Sequence, residues 1–464
     1  MPASQCLIQY PAVSNDREDE YRMSLQDLTT NIQNKSAKLA VIGLGYVGLP
    51  VACEFARVGF DVLGVDILTE RVAKINAGQS PIEGEEPGLA ALLAEVIGGG
   101  KLRATTNYED LRDRDIILID VETPVDDQNI PRYRALHSVL THLGPVLKEG
   151  ALVIIESTIA PGTVRDVVVP MLQESSGRAL NQGFFVGNCP ERVMPGKLLA
   201  NLRGLSRVCG GTTPETSEAL IALYRHIVHA DLDPADCVTA EIVKTAENAY
   251  RDVQIAFANE LAMVCEMAGG DVWKVREMVN KSPGRNVHLP GAGVGGHCIP
   301  KDPWLLAYGV HDKGPELNLI PTARRVNDSM PKHVLHLLTS ALAEHAELMQ
   351  GKEVLVLGYA YLEDSDDTRN SPSAAFVAAL QTVGAQARVH DPFIRDFQGD
   401  VLEMAKGADA AVLLVKHSAY KALDLSALAR ALAQPVFVDG RGLFTSEVLE
   451  SAGFTYRIIG VGKR

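Results

Sequence analysis

Cys298 closes a run of glycines in PGAGVGGHCIPKDPW, and that setting limits what its thiol is for. Gly291, Gly293, Gly295 and Gly296 precede it and Pro300 and Pro303 follow it. Such a loop holds a side chain on rigid backbone that another molecule can approach closely. An isolated Cys is more often a small core residue, but a core thiol has little need of four glycines and a following Lys301–Asp302 pair. Beside a hydride acceptor, a thiolate adds to an aldehyde, and the resulting hemithioacetal loses hydride to become a thioester that water cleaves. That route needs oxyanion donors. Lys244 and Asn248 stand four apart in a helix-compatible segment and so share a face; an arbitrary pair of this kind, taken alone, reads better as an exposed polar stripe. His297 is a weaker candidate for the thiol's base, because adjacent side chains in extended backbone point apart. No second His or Cys lies at ligand spacing, so no metal is expected.

The hydride acceptor has its own signature. In VIGLGYVG, Gly43, Gly45 and Gly48 form GxGxxG directly after a β-type run, with Tyr46 and Val47 between the last two glycines. The glycines permit a tight turn, close approach to a pyrophosphate and close helix-to-strand packing, and the helix N-terminus then presents free N–H groups to the phosphates. Asp66 ends a second apolar run about twenty residues on, where a carboxylate accepts ribose hydroxyls and repels a 2′-phosphate. NAD is the expected cofactor.

Parallel α/β structure must position these groups. LAVIGLGYVGLP, FDVLGVDI, DIILIDVETP and ALVIIESTIAPGT alternate with helix-compatible stretches, the pattern of a parallel sheet with crossover helices. Strand-like runs stop between about 215 and 330, where TAEIVKTAENAYRDVQIAFANELAMVCEMAG reads as one helix near thirty residues long, suited to spanning two domains or packing on a partner. EVLVLGYAYLEDSDDTRNSP, AQARVHDP, ADAAVLLVKHS and PVFVDGRGLF form a second alternating region. The expected fold is α/β, with two doubly wound Rossmann-like domains joined by a central helical one. Its parts are an extension over 1–36, a NAD-binding domain over 37–215, a helical domain over 216–330 and a C-terminal domain over 331–464.

A chain of 464 residues exceeds one ordinary core. With 46% hydrophobic and 22% charged residues it reads as a soluble globular protein, and a net charge of −14 argues against nucleic-acid or anionic-membrane partners. Seven cysteines without a CxxC pair fit neither a disulfide framework nor a structural zinc site, so the thiols are expected reduced in a cytoplasmic protein. Residues 1–36 lack a basic start and an apolar stretch, hence no signal peptide is expected. The apolar VQIAFANELAMVCEMA run carries more hydrophobic surface than a lone exposed helix would show, which predicts a homodimer or higher oligomer through it.

From about Lys38 to the C-terminus, GLGYVGLP, Thr123–Pro124, ESTIAPGT, CPERVMPGK, KTAENAYRDVQIAFANEL, GVGGHCIPKDPW and DDTRNSP together resemble the UDP-glucose/GDP-mannose dehydrogenase family. The resemblance implies that Cys298 forms the thioester, that Lys244 and Asn248 stabilise the oxyanion, and that Asp302 and Glu156 orient or activate water. It implies cofactor contacts from Asp66, Arg71, Thr123 and Thr158. It further implies a C-terminal domain that closes over a UDP group, with Arg369 and Arg441 as substrate contacts alongside Glu191, Arg192, Lys197, Arg285 and Gly295. PERVMPGK, the ENAYRDVQIAFANE helix and GGHC most resemble the branch acting on UDP-N-acetylhexosamines, with the manno epimer favoured over gluco or galacto, and UDP-glucose as a further alternative. One departure is Leu362, where the family usually carries Lys, a lost cation that bears on the exact substrate.

Two other readings use the same fold. A two-electron hydroxyacid dehydrogenase of the 6-phosphogluconate kind would use Lys244 as acid/base and Asn248 as orienter, leaving GGHCIPKD without purpose. A non-catalytic NAD-binding scaffold draws on Leu362 alone, against the intact Cys298, Lys244, Asn248 and Asp302.

Overall fold

The structure is a computed structural model that describes residues 25–462 apart from Glu83, Glu85, Pro195 and Pro315. Most of the expected extension, residues 1–24, lies outside the described residues. Its remainder is not an appendage: residues 25–33 are helical, and Leu25, Leu28 and Ile32 bury one face of that helix in the first core.

The chain divides into two compact units, Met1–Lys244 and Thr245–Arg464. The first is built on eight strands, β1 (Lys38–Ile42), β2 (Asp61–Val65), β3 (Leu102–Thr105), β4 (Ile116–Ile119), β5 (Ala151–Ile155), β6 (Phe184–Asn188), β7 (Arg207–Gly211) and β8 (Leu232–Asp236), in the order β3-β2-β1-β4-β5-β6-β7-β8. All pairs are parallel except β6 with β7. KLAVI, IILI and ALVII are apolar on both faces because helices cover both sides of a parallel sheet. The order reverses between β1 and β4, so the C-terminal ends of those strands open the crevice where such sheets bind ligands. β8 corrects the expectation of no strand beyond 215. Its sequence, LDPAD, is polar and contains Pro234, which an edge strand tolerates because its outer side needs no ladder bond.

The second unit carries β9 (Glu353–Leu357), β10 (Gln386–His390), β11 (Ala410–Leu413), β12 (Val436–Asp439) and β13 (Thr455–Ile458), all parallel, in the order β10-β9-β11-β12-β13. The sequence reading of two Rossmann-like sheets with helices between them is the observed fold. The long helix runs Cys237–Ala268, 32 residues or roughly 48 Å at the α-helical rise, and the division between the units falls within it. Helices Val272–Asn280, Asp302–Tyr308 and Leu319–Ala343 follow.

Candidate active site

In the first unit, β1 runs into a turn at Gly43, whose φ of +95° favours glycine; a Cβ there would lie 2.2 Å from the Asp120 carbonyl oxygen. Gly48 opens helix Gly48–Arg57 so close to the turn that a Cβ would stand 2.0 Å from the Gly43 carbonyl oxygen, whereas Gly45 faces open space. The N-cap residue of that helix, Val47, supplies no side-chain cap, which leaves the helix start open to a pyrophosphate. Asp66 is buried at the end of β2; its Oδ2 accepts from Leu44 N (2.9 Å) and Arg71 Nη1 (2.9 Å), and its Oδ1 from Leu68 N (2.9 Å). A carboxylate has about four lone-pair positions, so room remains for a ribose hydroxyl. The residues present therefore fit NAD. Thr123 Oγ1 donates to the Thr158 carbonyl at 2.6 Å, which joins the two sequence-proposed threonines behind β4 and β5. Tyr46 hydrogen-bonds Glu86, and Glu86 Oε1 also accepts from Gly196 N at 2.8 Å. Glu86 thus ties the glycine turn to the PERVMPGK loop, a role no sequence signal suggested.

Glu156, at the end of β5, is buried, and its Oε1 accepts from Tyr224 Oη (2.6 Å) and Arg207 Nη1 (3.2 Å). Arg207 is fully buried, pairs also with Glu191 and stacks over the Tyr224 ring, 4.8 Å from its centroid. Burial raises the Glu191 carboxyl, against the lowering pull of Arg207. Arg192 donates to Ser206 Oγ at 3.1 Å, while Lys197 is exposed. Glu241 on the long helix accepts from Gly162 N (2.5 Å) and Val164 N (2.8 Å), anchoring the end of ESTIAPGT; burial pushes its carboxyl up to about 7.

In the second unit, Cys298 is the exposed thiol among the described cysteines; the other five are buried. Its carbonyl accepts from Lys301 N (3.1 Å) and Asp302 N (2.9 Å), so the thiol sits where the backbone turns into helix Asp302–Tyr308. Asp302 is fully buried; Oδ2 accepts from Asn248 Nδ2 at 2.6 Å and Oδ1 faces Lys301 Nζ at 3.3 Å. Asn248 keeps a second N–H for another acceptor. Lys244 precedes Asn248 by one helical turn, as their spacing predicts.

The glycines of the loop have individual reasons. A Cβ on Gly291 would meet Arg441 Nη1 at 2.5 Å, one on Gly295 would meet Tyr361 Cβ at 2.6 Å, and Gly296, at φ +88°, lies under the Tyr361 ring. Gly296 N donates to the Arg369 carbonyl (2.9 Å) and its own carbonyl accepts from Asn370 Nδ2 (3.0 Å). A buried polar chain holds the other end: Arg324 and Asn327 donate to Asp252 Oδ1 (2.6 and 2.7 Å), Asn259 donates to Asn327 Oδ1 (2.9 Å), and Gly291 N donates to Asn259 Oδ1 (2.9 Å). Burial, with Lys301 and Arg369 nearby, lowers His297, so its imidazole is neutral at physiological pH.

Arg441 donates to the Leu414 carbonyl (2.7 Å) and borders the thiol loop; Arg369 grips Asp367 through Nε (3.0 Å) and Nη2 (2.6 Å). Both lie beside the Cys298 loop, to which Gly295 and Asp302 belong. Arg285 is exposed and donates to the Pro283 carbonyl (3.0 Å), and Leu362 is 40% exposed.

Family models for the UDP-glucose/GDP-mannose dehydrogenase family match the chain in three parts: the NAD binding domain over 37–228, the central domain over 238–329 and the UDP binding domain over 355–446. The chain is 38% identical over 426 residues, 92% of its length and 99% of the relative's, to UDP-N-acetyl-D-mannosamine dehydrogenase of Pyrococcus horikoshii. The solved structure of UDP-D-ManNAc dehydrogenase from Pyrococcus horikoshii superposes with a TM-score of 0.86 at 37% identity, covering 91% of this chain and 99% of that one. That of NDP-N-acetyl-D-galactosaminuronic acid dehydrogenase from Methanosarcina mazei Go1 gives 0.84 at 35%, covering 94% and 98%. The chain belongs to the UDP-glucose/GDP-mannose dehydrogenase family and is an NAD-dependent nucleotide-sugar dehydrogenase.

Proposed function

We propose that this dehydrogenase oxidises the C6 alcohol of a UDP-N-acetylhexosamine to the carboxylate in two oxidations, with Cys298 carrying the acyl group between them. The observation that carries this reading is the single exposed thiol among the described cysteines, fixed at a helix start beside buried Asp302 and half-buried Asn248. NAD+, once bound, accepts the hydride in each oxidation. Cys298 Sγ adds as thiolate to the C6 aldehyde, forming a C–S bond and an oxyanion that Lys244 and the second N–H of Asn248 stabilise. Loss of hydride from that carbon gives the thioester, and water replaces sulfur at C6, releasing the thiolate and the carboxylic acid. Asp302 and Glu156 orient that water and take its proton. Per sugar, one water and two NAD+ are consumed, and two NADH, one carboxylate and three protons result.

In this reading Gly43, Gly45, Tyr46, Val47, Gly48, Asp66, Arg71, Thr123 and Thr158 hold the cofactor. Glu191, Arg192, Lys197, Arg285, Gly295, Arg369 and Arg441 hold the sugar nucleotide. The sequence reading sets the domain limits at 37–215, 216–330 and 331–464; because β8 completes the first sheet, the first of these limits is moved past Asp236. The manno epimer is favoured by the mannosamine dehydrogenase from Pyrococcus horikoshii; the galactosaminuronic acid dehydrogenase from Methanosarcina mazei supports the galacto epimer as second choice. The enzyme is a cytoplasmic homodimer through the long helix, whose Tyr250, Phe257 and Val264 recur every seven residues and are each more than half exposed.

The test is NADH yield per sugar at completion with UDP-N-acetylmannosamine, UDP-N-acetylgalactosamine, UDP-N-acetylglucosamine and UDP-glucose. Two NADH per sugar with the first preferred is the expected result, and Cys298→Ser should lower turnover at least about a thousandfold. One NADH per sugar would establish the two-electron alternative instead.

A further inference from the structure

Three carboxylates and one guanidinium meet at the C-terminal ends of the first sheet. Asp120 follows β4, Glu156 follows β5, Glu191 lies three residues past β6, and Arg207 opens β7. Glu156 Oε1 has both of its donors, Tyr224 and Arg207, but Glu156 Oε2 is shielded from solvent with no donor, and so is Asp120 Oδ2. Asp120 and Glu156 continue the Ile119–Ile155 register of parallel β4 and β5, so the two carboxyls leave neighbouring strands on the same face of the sheet. Two ionised carboxylates in that position would leave both shielded oxygens unsatisfied and set like charges side by side, and one buried Arg cannot neutralise three acids. A single proton between them resolves both problems.

We infer that Asp120 is a neutral carboxylic acid that donates its proton to Glu156 Oε2, making it a positioning residue that holds Glu156 as an oriented carboxylate. The assignment of the proton rests on the two shielded oxygens and the strand register that sets them side by side; its consequence for turnover rests on the part given to Glu156 above. Burial, and after it the charge of Glu156, hold the Asp120 carboxyl well above the usual carboxylate range. The other groups facing the pair act consistently. Glu191 adds negative charge, Arg207 offsets part of it and is committed to Glu156 and Glu191, Tyr224 donates from its helix, Cys189 is a neutral thiol raised by burial, and Lys244 sits near Glu191. The backbone fixes Asp120 as well, because its Cβ lies against Gly48 and its carbonyl against Gly43. The acid therefore joins the glycine turn to the carboxylate cluster.

Infrared difference spectroscopy of the full-length enzyme at neutral pH tests the proton directly. A C=O stretch of a protonated carboxylic acid, shifted in D2O, is expected in the wild-type minus Asp120→Asn difference spectrum, where the contributions of Glu241 and Glu191 cancel, with the melting temperature of the variant showing that it is folded. Absence of the band from that difference spectrum would overturn the inference. Turnover supplies the second reading. Asn still donates an N–H to Glu156 and Ala does not, so kcat of Asp120→Ala should fall at least about tenfold below that of Asp120→Asn, with KM little changed. In addition, the alkaline fall in kcat caused by losing the Asp120 proton should move to higher pH in Asp120→Asn, a shift that a merely structural role would not produce. Equal kcat values and unshifted profiles, with the band behaving as expected, would overturn the positioning role and locate the failure in the part given to Glu156.

Discussion

At the end of β1, Gly43 turns at φ +95°, its N–H donates to Val65 at 2.8 Å, and Leu44 N–H donates to Asp66 at the end of neighbouring β2. At the end of β9, Gly358 turns at φ +94°, its N–H donates to His390 at 2.8 Å, and the amides of Tyr359 and Ala360 donate to Asp391 at the end of neighbouring β10. The backbone device is the same in both sheets. What differs is the acid's remaining surroundings. Asp66 adds Leu68 N (2.9 Å) and Arg71, a side chain one-third exposed, and keeps a lone pair over, whereas Asp391 is fully buried and takes Phe393 N (2.9 Å) and His417 Nε2 (3.1 Å) besides. The Asp364 N–H donates to His417 Nδ1 at 2.9 Å, which leaves the imidazole proton on Nε2 for Asp391. One acid stays available to a ribose through a partner that can move; the other is consumed by the fold. Repeating a Rossmann turn does not repeat a dinucleotide site, because the site resides in the lone pairs the fold leaves over.

The comparison breaks most visibly at the glycines. Gly43→Ala forces a Cβ onto the Asp120 carbonyl at positive φ and should weaken NAD+ binding at least about 100-fold, about 2.7 kcal/mol, by calorimetric titration. Gly358→Ala meets Val415 Cβ at 2.4 Å under the same strain, yet should lower the melting temperature while leaving NAD+ affinity as it was. Equal losses of NAD+ affinity in both variants would erase the distinction.

Asp391→Asn is next in size. Burial alone would raise this carboxyl, but the hydrogen bonds from His417, Ala360, Tyr359 and Phe393 outweigh it and bring it from 3.8 to about 2. A depressed carboxylate stabilises the fold above its unfolded value and loses that contribution as pH falls through the folded one. Wild-type stability should therefore decline between about pH 4 and pH 2, and the variant should be about 2 kcal/mol less stable at neutral pH with a flatter profile in that window. Urea melts across pH measure both. NAD+ affinity should not change.

Asp66→Asn should show the reverse pattern, with NAD+ binding weakened about tenfold, a narrower preference over NADP+ and a small change in melting temperature. Smallest of all, Arg71→Ala should cost less than about 1 kcal/mol of stability, since its ion pair reaches solvent. A larger loss would mean that Asp66, like Asp391, depends on its neighbour to stay folded.

Where a feature is set by neighbours close in the chain, the sequence alone determined it. GLGYVG followed by Asp66, the apolar strands, the unbroken Cys237–Ala268 helix and the glycine-rich thiol loop are all of this kind, because backbone sterics and hydrophobic periodicity act over a few residues. Even there, the reason for Gly291, Gly295 and Gly296 waited for Arg441 and Tyr361 to arrive from the second sheet. The strand LDPAD and the helix over 25–33 escaped because an edge strand and a short capping helix carry weak patterns. Arg207, Asp120, Glu86 and the Asp252–Asn327–Asn259 chain were illegible for a different reason. In a sequence each is an ordinary polar residue, and its partner lies far away, 51 positions for Arg207 and Glu156 and 68 for Asn259 and Asn327. Whether a charge is solvated or buried, and so whether it must find a donor or keep a proton, depends on what packs around it. Only the tertiary structure decides that.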